Sequence, residues 1–427
     1  MSFSVNGKRI FHSAANKARG YFIYPVCFAG SLFVRVDNRM EAVKKDIIPP
    51  EKCCQIEERL SEPAWIYRYQ HEKHGWVLCI ATLAEPQSNK LSLGGFRIEP
   101  EERAALPGFS PEREAIDLAI GMQEKVSWTH VTRVGGPRAL KELDRIVGGK
   151  CVLLPSAGSR VGEPQDIELL EFAAVCLNDV VESAGFVPVT GQDLGHGTLS
   201  DGKTSSLEFL HSNFSGAVLQ DTSKPTAEGN FYLLRGVLRA CGLELENARV
   251  GLIGCGNIGF RILERLREHN STVYALEARE EKRAEIEALG ISVWSQDYKE
   301  KFIEMDLDAL VINANGGTLD PVTVEQIAAN EAIKIVCGCE NLVMPDPSGE
   351  LVLRDAGKIF CPTELCGMMG YLTAVEEYLC RRAGEELDIN TLFEAAKKLE
   401  EVGERAGRYA LEAENQPLFE DAVRAVC

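Results

Sequence analysis

No apolar run in the chain approaches the roughly 18 to 20 residues that a membrane helix needs, so nothing in it reads as a bilayer span. Basic charge is also short. Lysine and arginine total 46 against 64 aspartates and glutamates, a formal net charge of -18, which argues against nucleic-acid or anionic-membrane binding. CxxC pairs with histidine neighbours are missing too. Among the 14 cysteines, Cys53-Cys54, Cys337/Cys339 and Cys361/Cys366 lie close together, but none has metal-ligand spacing. No metal is therefore expected, and thiols scattered through so long a chain read as the reduced cysteines of a cytoplasmic protein.

Acidic residues are absent from the first 36 positions, where Lys8, Arg9, Lys17, Arg19 and Arg35 give a faint transit-peptide pattern. Against that, "YFIYPVCFAGSLFVRV" (21–36) is rich in aromatic and β-branched residues and reads as strands. It is expected to extend the first domain. The whole chain, 427 residues with 45% hydrophobic and 26% charged, is too long for one core and suits a soluble two-domain protein.

What is present most clearly is a strand–glycine turn–helix. Val250 to Ile253 is apolar and β-branched, and Gly254-x-Gly256-Asn257-Ile258-Gly259 follows at once. Ile258, Ile262, Leu263 and Leu266 then recur at helical spacing, and a second strand runs from Thr272 to Leu276. Glu277 ends that strand 18 residues after Gly259. In this setting the glycines mark a dinucleotide site: a tight turn, a close approach to the pyrophosphate, and a helix N-terminus facing the phosphates. Glu277 suits the adenosine ribose and repels a 2′-phosphate, which favours NAD. Strand-like runs at 308–317, 332–342 and 357–365 alternate with helices and complete a doubly wound parallel sheet. Asn313, Asn315 and Asn341 fall at strand carboxyl ends, where such sheets bind ligands.

The preceding 200 residues carry three further stretches. "LSLGGFRIEP" (91–100) holds a Gly-Gly turn before an arginine. "EREAIDLAIGMQEKVSW" (112–128) is a helix with Ala115, Leu118, Ala119 and Met122 on one face and Lys125 after them. "VPVTGQDLGHGTL" (187–199) is a short strand followed by Asp193 in a glycine-rich turn.

Taken in order, these stretches resemble the glutamate/leucine/phenylalanine/valine dehydrogenase superfamily, most of all its leucine and phenylalanine branch. The matching elements are Gly94-Gly95-Phe96-Arg97, Gly121-Met122-Gln123-Glu124-Lys125, Gly148-Gly149-Lys150, Asp193-Leu194-Gly195, Thr226-Ala227 and Gly254 to Gly259. The resemblance implies an NAD-dependent amino-acid dehydrogenase acting on a CH–NH2 group. Lys125, with the backbone of Gly94 and Gly95, would pair with the substrate α-carboxylate. Lys150 would be the catalytic lysine that activates water, and Asp193 would trade a proton with the amino group. Thr226 and Asn341 would lie near the nicotinamide. Residue types agree: two cations in a dry cleft lower each other's pKa and free one lysine to act as a base.

Departures bear on specificity. Leu93 stands where glutamate dehydrogenases carry a lysine for the side-chain carboxylate, which disfavours glutamate. In "CPTELCGMMGYLTAVEEY" (361–378), Gly367 replaces the family's asparagine, Met368-Met369 replace small residues, and Tyr371 and Ala374 fall at side-chain pocket positions. The Tyr371 hydroxyl wants a partner, which raises a polar or unusual substrate side chain as an alternative. Lys125 and Lys150 are also 25 residues apart, more than in the family, so 132–145 reads as an insertion at the cleft mouth or on an oligomer surface. Within it Gly135-Gly136-Pro137-Arg138 mimics the catalytic motif. Lys150, however, leads into the apolar "CVLLP", and Arg138 leads into the helical "ALKELDRI".

The expected architecture is α/β with a cleft between two domains. Residues 1–205 would form the substrate and oligomerisation domain, with 366–427 packing back on it, and 206–365 the Rossmann domain. The resemblance further implies a small-molecule amino acid or 2-oxo acid substrate and a homo-oligomer. Two alternatives stand beside it: a specialised relative acting on a non-standard amino acid or imine, and a catalytically silent NAD-binding regulator.

Overall fold

The protein was examined as a computed structural model, which describes residues 40, 42–57 and 62–427. The stretch 21–36, read above as strands, lies outside the described residues. Among the described residues thirteen strands form two sheets. The first contains β1 (Val43–Ile48), β2 (Trp65–His71), β3 (Val77–Thr82), β4 (Leu91–Leu93), β5 (Phe96–Ile98), β6 (Ile146–Leu154) and β7 (Val187–Val189). Its order is β1-β2-β3-β6-β4-β7, antiparallel as far as β6 and parallel beyond it. β5 also pairs with β6, in parallel. β4 and β5 are thus two halves of one interrupted strand alongside β6, in the same register, with Gly94-Gly95 between them.

The second sheet contains β8 (Arg249–Ile253), β9 (Thr272–Leu276), β10 (Ser292–Trp294), β11 (Ala309–Ile312), β12 (Ile335–Gly338) and β13 (Ile359–Phe360). It is parallel throughout, in the order β10-β9-β8-β11-β12-β13. Numbered from β8, that is 3-2-1-4-5-6, the doubly wound dinucleotide-binding order. The strand order reverses between β8 and β11, so Gly254 and Asn313 flank the crevice where such sheets take ligands.

The Lys125 helix, Pro111–Thr132, starts where the Ser110 side chain accepts the Arg113 N–H and Pro111 pre-sets the first turn. It ends at Arg133, which is left-handed. Ala115, Leu118, Ala119 and Met122 are buried on one face, as the spacing predicts, and Lys125 is buried among them. This helix lies directly on β6. A Cβ at Gly148 would stand 2.4 Å from the Ala119 carbonyl, and the Gln123 side chain accepts the Gly148 N–H at 2.7 Å.

The C-terminal segment divides. The Tyr371 helix, Met368–Arg382, packs on the Lys125 helix, on β7 and on the helix Ser223–Ala240. The helix Ile389–Glu412 lies mainly along Ser223–Ala240 and against the terminal helix Phe419–Val426. One apolar core therefore runs from Leu93 and Met122 through Phe231 and Leu399 to Leu252 and Val311. All 13 cysteines of the described residues are unpaired. Among those residues no helix is long and apolar enough to cross a membrane.

Candidate active site

The two sheets meet around a cavity of about 860 Å3. Its walls hold Leu93, Gly94, Gly95, Lys125, Lys150, Asp193, Thr226, Gly254, Gly256, Asn257, Ile258, Glu277, Asn315, Asn341, Tyr371 and Ala374. Of the residues singled out in the sequence only Gly259 stays behind the wall. A Cβ there would stand 2.1 Å from the Gly254 carbonyl, so Gly259 permits the helix Asn257–Glu268 to start close against the glycine turn.

The sequence has Gly148, Gly149 and Lys150 leading into an apolar strand. They lie inside β6 instead. The reason is the close approach of neighbouring backbones. A Cβ at Gly94 would sit 1.8 Å from the Gly149 carbonyl oxygen, and one at Gly149 would sit 2.0 Å from the Ser92 hydroxyl. With no Cβ on Gly94 or Gly149, β6 runs past the Gly94-Gly95 pair and brings Lys150 to the cavity wall. The Lys150 ammonium donates to Asp193 Oδ2. Gly95 leaves room for that pair, because a Cβ there would be 3.0 Å from Lys150 Nζ and 3.1 Å from Asp193 Cβ.

Electrostatics follow from burial. Lys150 is 3% exposed, and burial pulls its pKa below the ordinary lysine value although Asp193 pulls the other way. Arg97 adds to the lowering, ahead of Lys125. Mutual depression by the two lysines, expected from the sequence, is thus a minor contribution. Burial would push the Asp193 carboxyl up, but the charges of Arg97 and Lys150 outweigh it and hold Asp193 well below the usual carboxylate range. Lys125, also lowered by burial, donates to Asn341 Oδ1 at 3.1 Å, a contact from the first half of the chain to the loop after β12.

Arg97 went unassigned in the sequence. It is 4% exposed and reaches Asp193 Oδ2 through Nε at 3.3 Å and Oδ1 through Nη2 at 3.4 Å. Glu114, its other partner, was also missed. The available signal was a lone arginine inside the apolar "LGGFRI", since an arginine enters a core strand only with an acid to meet it.

Arg138 lies elsewhere. It pairs with Glu385 near the surface. The stretch 132–145, expected at the cleft mouth or on an oligomer surface, contains a short helix, Pro137–Lys141, packed on the Tyr371 helix. Buried Glu376 caps it, accepting the Arg138 N–H at 3.0 Å and the Ala139 N–H at 2.8 Å. Tyr371 also departs from expectation. Its hydroxyl is bonded to Thr129 Oγ1, which in turn donates to the Lys125 carbonyl at 3.0 Å. The partner the hydroxyl wants is inside the protein, and the ring is what lines the cavity.

Known proteins bear on this geometry. No family model matches the chain. Over 293 residues, 67% of this chain and 73% of its relative, it is 26% identical to a valine dehydrogenase of Streptomyces virginiae. A phenylalanine dehydrogenase of Bacillus thermotolerans is similar as well, 25% identical over 240 residues, 54% of this chain and 59% of that one. The chain's fold is shared with the L-tryptophan dehydrogenase from Nostoc punctiforme, with a TM-score of 0.56, 19% identity, and 82% of this chain and 90% of that one covered. The hetero-hexameric glutamate dehydrogenase from Thermus thermophilus, in its Leu-bound form, gives a TM-score of 0.57 at 16% identity over 90% of this chain and 86% of that one.

The superfamily's dinucleotide fits the residues present. Gly254 has φ +83, the left-handed region a glycine adopts without strain. In front of Gly256 there is open space, with no atom within 4 Å of where a Cβ would be. Asn313, on the cavity wall, has a side-chain amide nitrogen with no hydrogen-bond partner. Glu277 closes the far side. Its Oε2 accepts the Cys255 N–H at 2.7 Å and its Oε1 the Arg279 N–H at 3.0 Å. Burial would raise its pKa, but these N–H groups outweigh burial and favour the carboxylate.

Proposed function

We propose that this chain is an NAD-dependent amino-acid dehydrogenase whose substrate is not glutamate. One observation carries the reading: a buried lysine–carboxylate pair, Lys150 with Asp193, shares a cavity with a second buried lysine and with a dinucleotide-type glycine turn. When bound, NAD would accept the hydride that leaves the substrate α-carbon. The chain's own residues supply the rest. Lys125 orients the α-carboxylate. Lys150, eased toward the neutral amine by burial, takes the proton from the water that attacks the imine. Arg97 keeps Asp193 ionised, which supports Asp193 as the fixed counter-charge that holds Lys150 in place more than as a proton shuttle.

At the substrate end the side-chain lining is Leu93, Met122, Tyr371 and Ala374, with Gly370 between them. Among the described residues, Lys125 and Lys150 are the cations lining this end of the cavity, and the Tyr371 hydroxyl is already engaged. An apolar substrate side chain follows. The silent-regulator alternative has less support, because a chain with no reaction to perform has no need to hold two lysines in a dry cavity.

The domain reading, 1–205 and 206–365, is supported by the two sheets; the return of 366–427 is supported for the Tyr371 helix, whereas Ile389–Glu412 packs along Ser223–Ala240 in the second half. A cytoplasmic homo-oligomer is the corresponding expectation, measurable by light scattering on the full chain. The test of function is NADH consumption with ammonia and a panel of apolar 2-oxo acids. Lys150→Ala should lower turnover by roughly a thousandfold or more, with NADH still bound. Arg138→Ala should stay near wild type. Full activity in Lys150→Ala together with loss in Arg138→Ala would reverse the assignment.

A further inference from the structure

Between the cofactor side of the cavity and the Lys150–Asp193 pair runs a string of alternating charges whose members beyond Arg97 the reaction above leaves unused. Asp193 is held by Arg97, and Arg97 Nη1 donates to Glu114 Oε1. The same Glu114 oxygen accepts Arg103 Nη2 at 2.8 Å. Arg103 stands on the short helix Glu101–Ala104, and its Nε donates to buried Glu99 at 2.9 Å. Its remaining nitrogen, Nη1, donates to the Asn315 carbonyl at 2.9 Å. Asn315 lies in the loop after β11, on the wall where the dinucleotide would sit. Gly316 beside it has φ +106, and a Cβ there would be 3.7 Å from Arg103 Nη1.

We propose that Arg103 is a positioning residue that ties the 313–317 loop, and the dinucleotide held by it, to the catalytic ion pair. The inference rests on the dehydrogenase reading. Its physical basis is the guanidinium fork, which meets three acceptors at once: two carboxylates within its own half of the chain and one carbonyl across the cleft. The two carboxylates anchor the fork, and of its three bonds the Asn315 one alone reaches the other half of the chain. A lysine offers a single nitrogen and cannot span the same three acceptors. Loss of the guanidinium also removes one cation from the network, which favours the protonated form of Lys150.

NADH binding read by fluorescence titration, and NADH release read by stopped flow, test this on the full chain without turnover. Arg103→Met should bind NADH about tenfold more weakly, the effect of one lost charge-assisted bond, and should release it correspondingly faster. Arg103→Lys should recover part of the loss. Glu102→Gln, an exposed neighbour, should match wild type. In turnover, KM for NAD should rise more than kcat falls, and the rising limb of the pH profile should move to higher pH. Wild-type affinity and release in Arg103→Met would overturn the inference alone. A wild-type chain that binds no NADH would overturn it together with the dehydrogenase reading. Should Arg103→Met fail to fold, Arg103→Lys carries the same comparison, and wild-type release there overturns the tie.

Discussion

Tyr371 shows how a single side chain can change meaning between sequence and structure. As a letter it offers a hydroxyl to the pocket; in place, Thr129 holds that hydroxyl and only the ring faces the substrate. Tyr371→Val should therefore enlarge the pocket and shift preference toward bulkier apolar 2-oxo acids, by roughly tenfold in relative kcat/KM. An unchanged ranking across the panel would remove Tyr371 from the specificity argument. Lys150 makes a second prediction at this scale. Its amine must be neutral to act as a base, so the rate of deamination should rise with pH. Because burial lowers the lysine's pKa, the midpoint should fall below the ordinary value of about 10.4. The sign for stability is the same: the unfolded chain holds this proton more tightly, so the cost of the buried ammonium eases as pH rises toward the ordinary lysine value. Retaining the limb in Lys150→Ala would assign it to another group.

The insertion 132–145 is an element whose place could not be read from its own residues. Pro137 and the apolar spacing announced a helix, and a helix is there. Its position depends on Glu376, more than 200 residues away in sequence, whose buried carboxylate takes two N–H groups at the helix start. Glu376→Ala leaves those donors buried without an acceptor, at a cost of about 1–3 kcal/mol. Thermal unfolding should register that loss, and hydrogen exchange should speed at 138–145. Glu376→Gln, which keeps an acceptor, should sit between. The same contrast separates the rest of the elements. β8, the glycine turn and the helix after it were legible because their signals are local: a β-branched run, spaced glycines, a 3.6-residue period. Arg97, Glu114 and the β6 seam were not, because each is defined by what another part of the chain brings to it.

Across the whole molecule, the cavity belongs to neither sheet alone, and its order of elements was readable while its seating was not. Six motifs in family order announced both halves and most of the wall. How Lys125 meets Asn341 and how the C-terminal helices divide between the halves depend on packing that no motif encodes. A site shared this way couples binding to global stability. NADH at a hundredfold excess over its Kd should stabilise the fold by about 2.7 kcal/mol, seen as a higher Tm. Gly256→Val separates the fold from the ligand, since the space in front of Gly256 is empty of protein. Its apo Tm should match wild type, while the rise with NADH should vanish. A full rise in that variant would place the dinucleotide elsewhere.

The bare seam where Gly94 and Gly149 meet also bears on how this enzyme can change over generations. Alanine is the smallest step open to either glycine that leaves a side chain; at Gly94 its methyl group would run into the Gly149 backbone, and at Gly149 into the Ser92 hydroxyl, which can turn away. A library of random variants would therefore find Gly94 the less forgiving of the two, although it neither donates, accepts nor carries charge through a side chain. Lineages that alter the substrate are left to vary the opposite wall, on the Tyr371 helix.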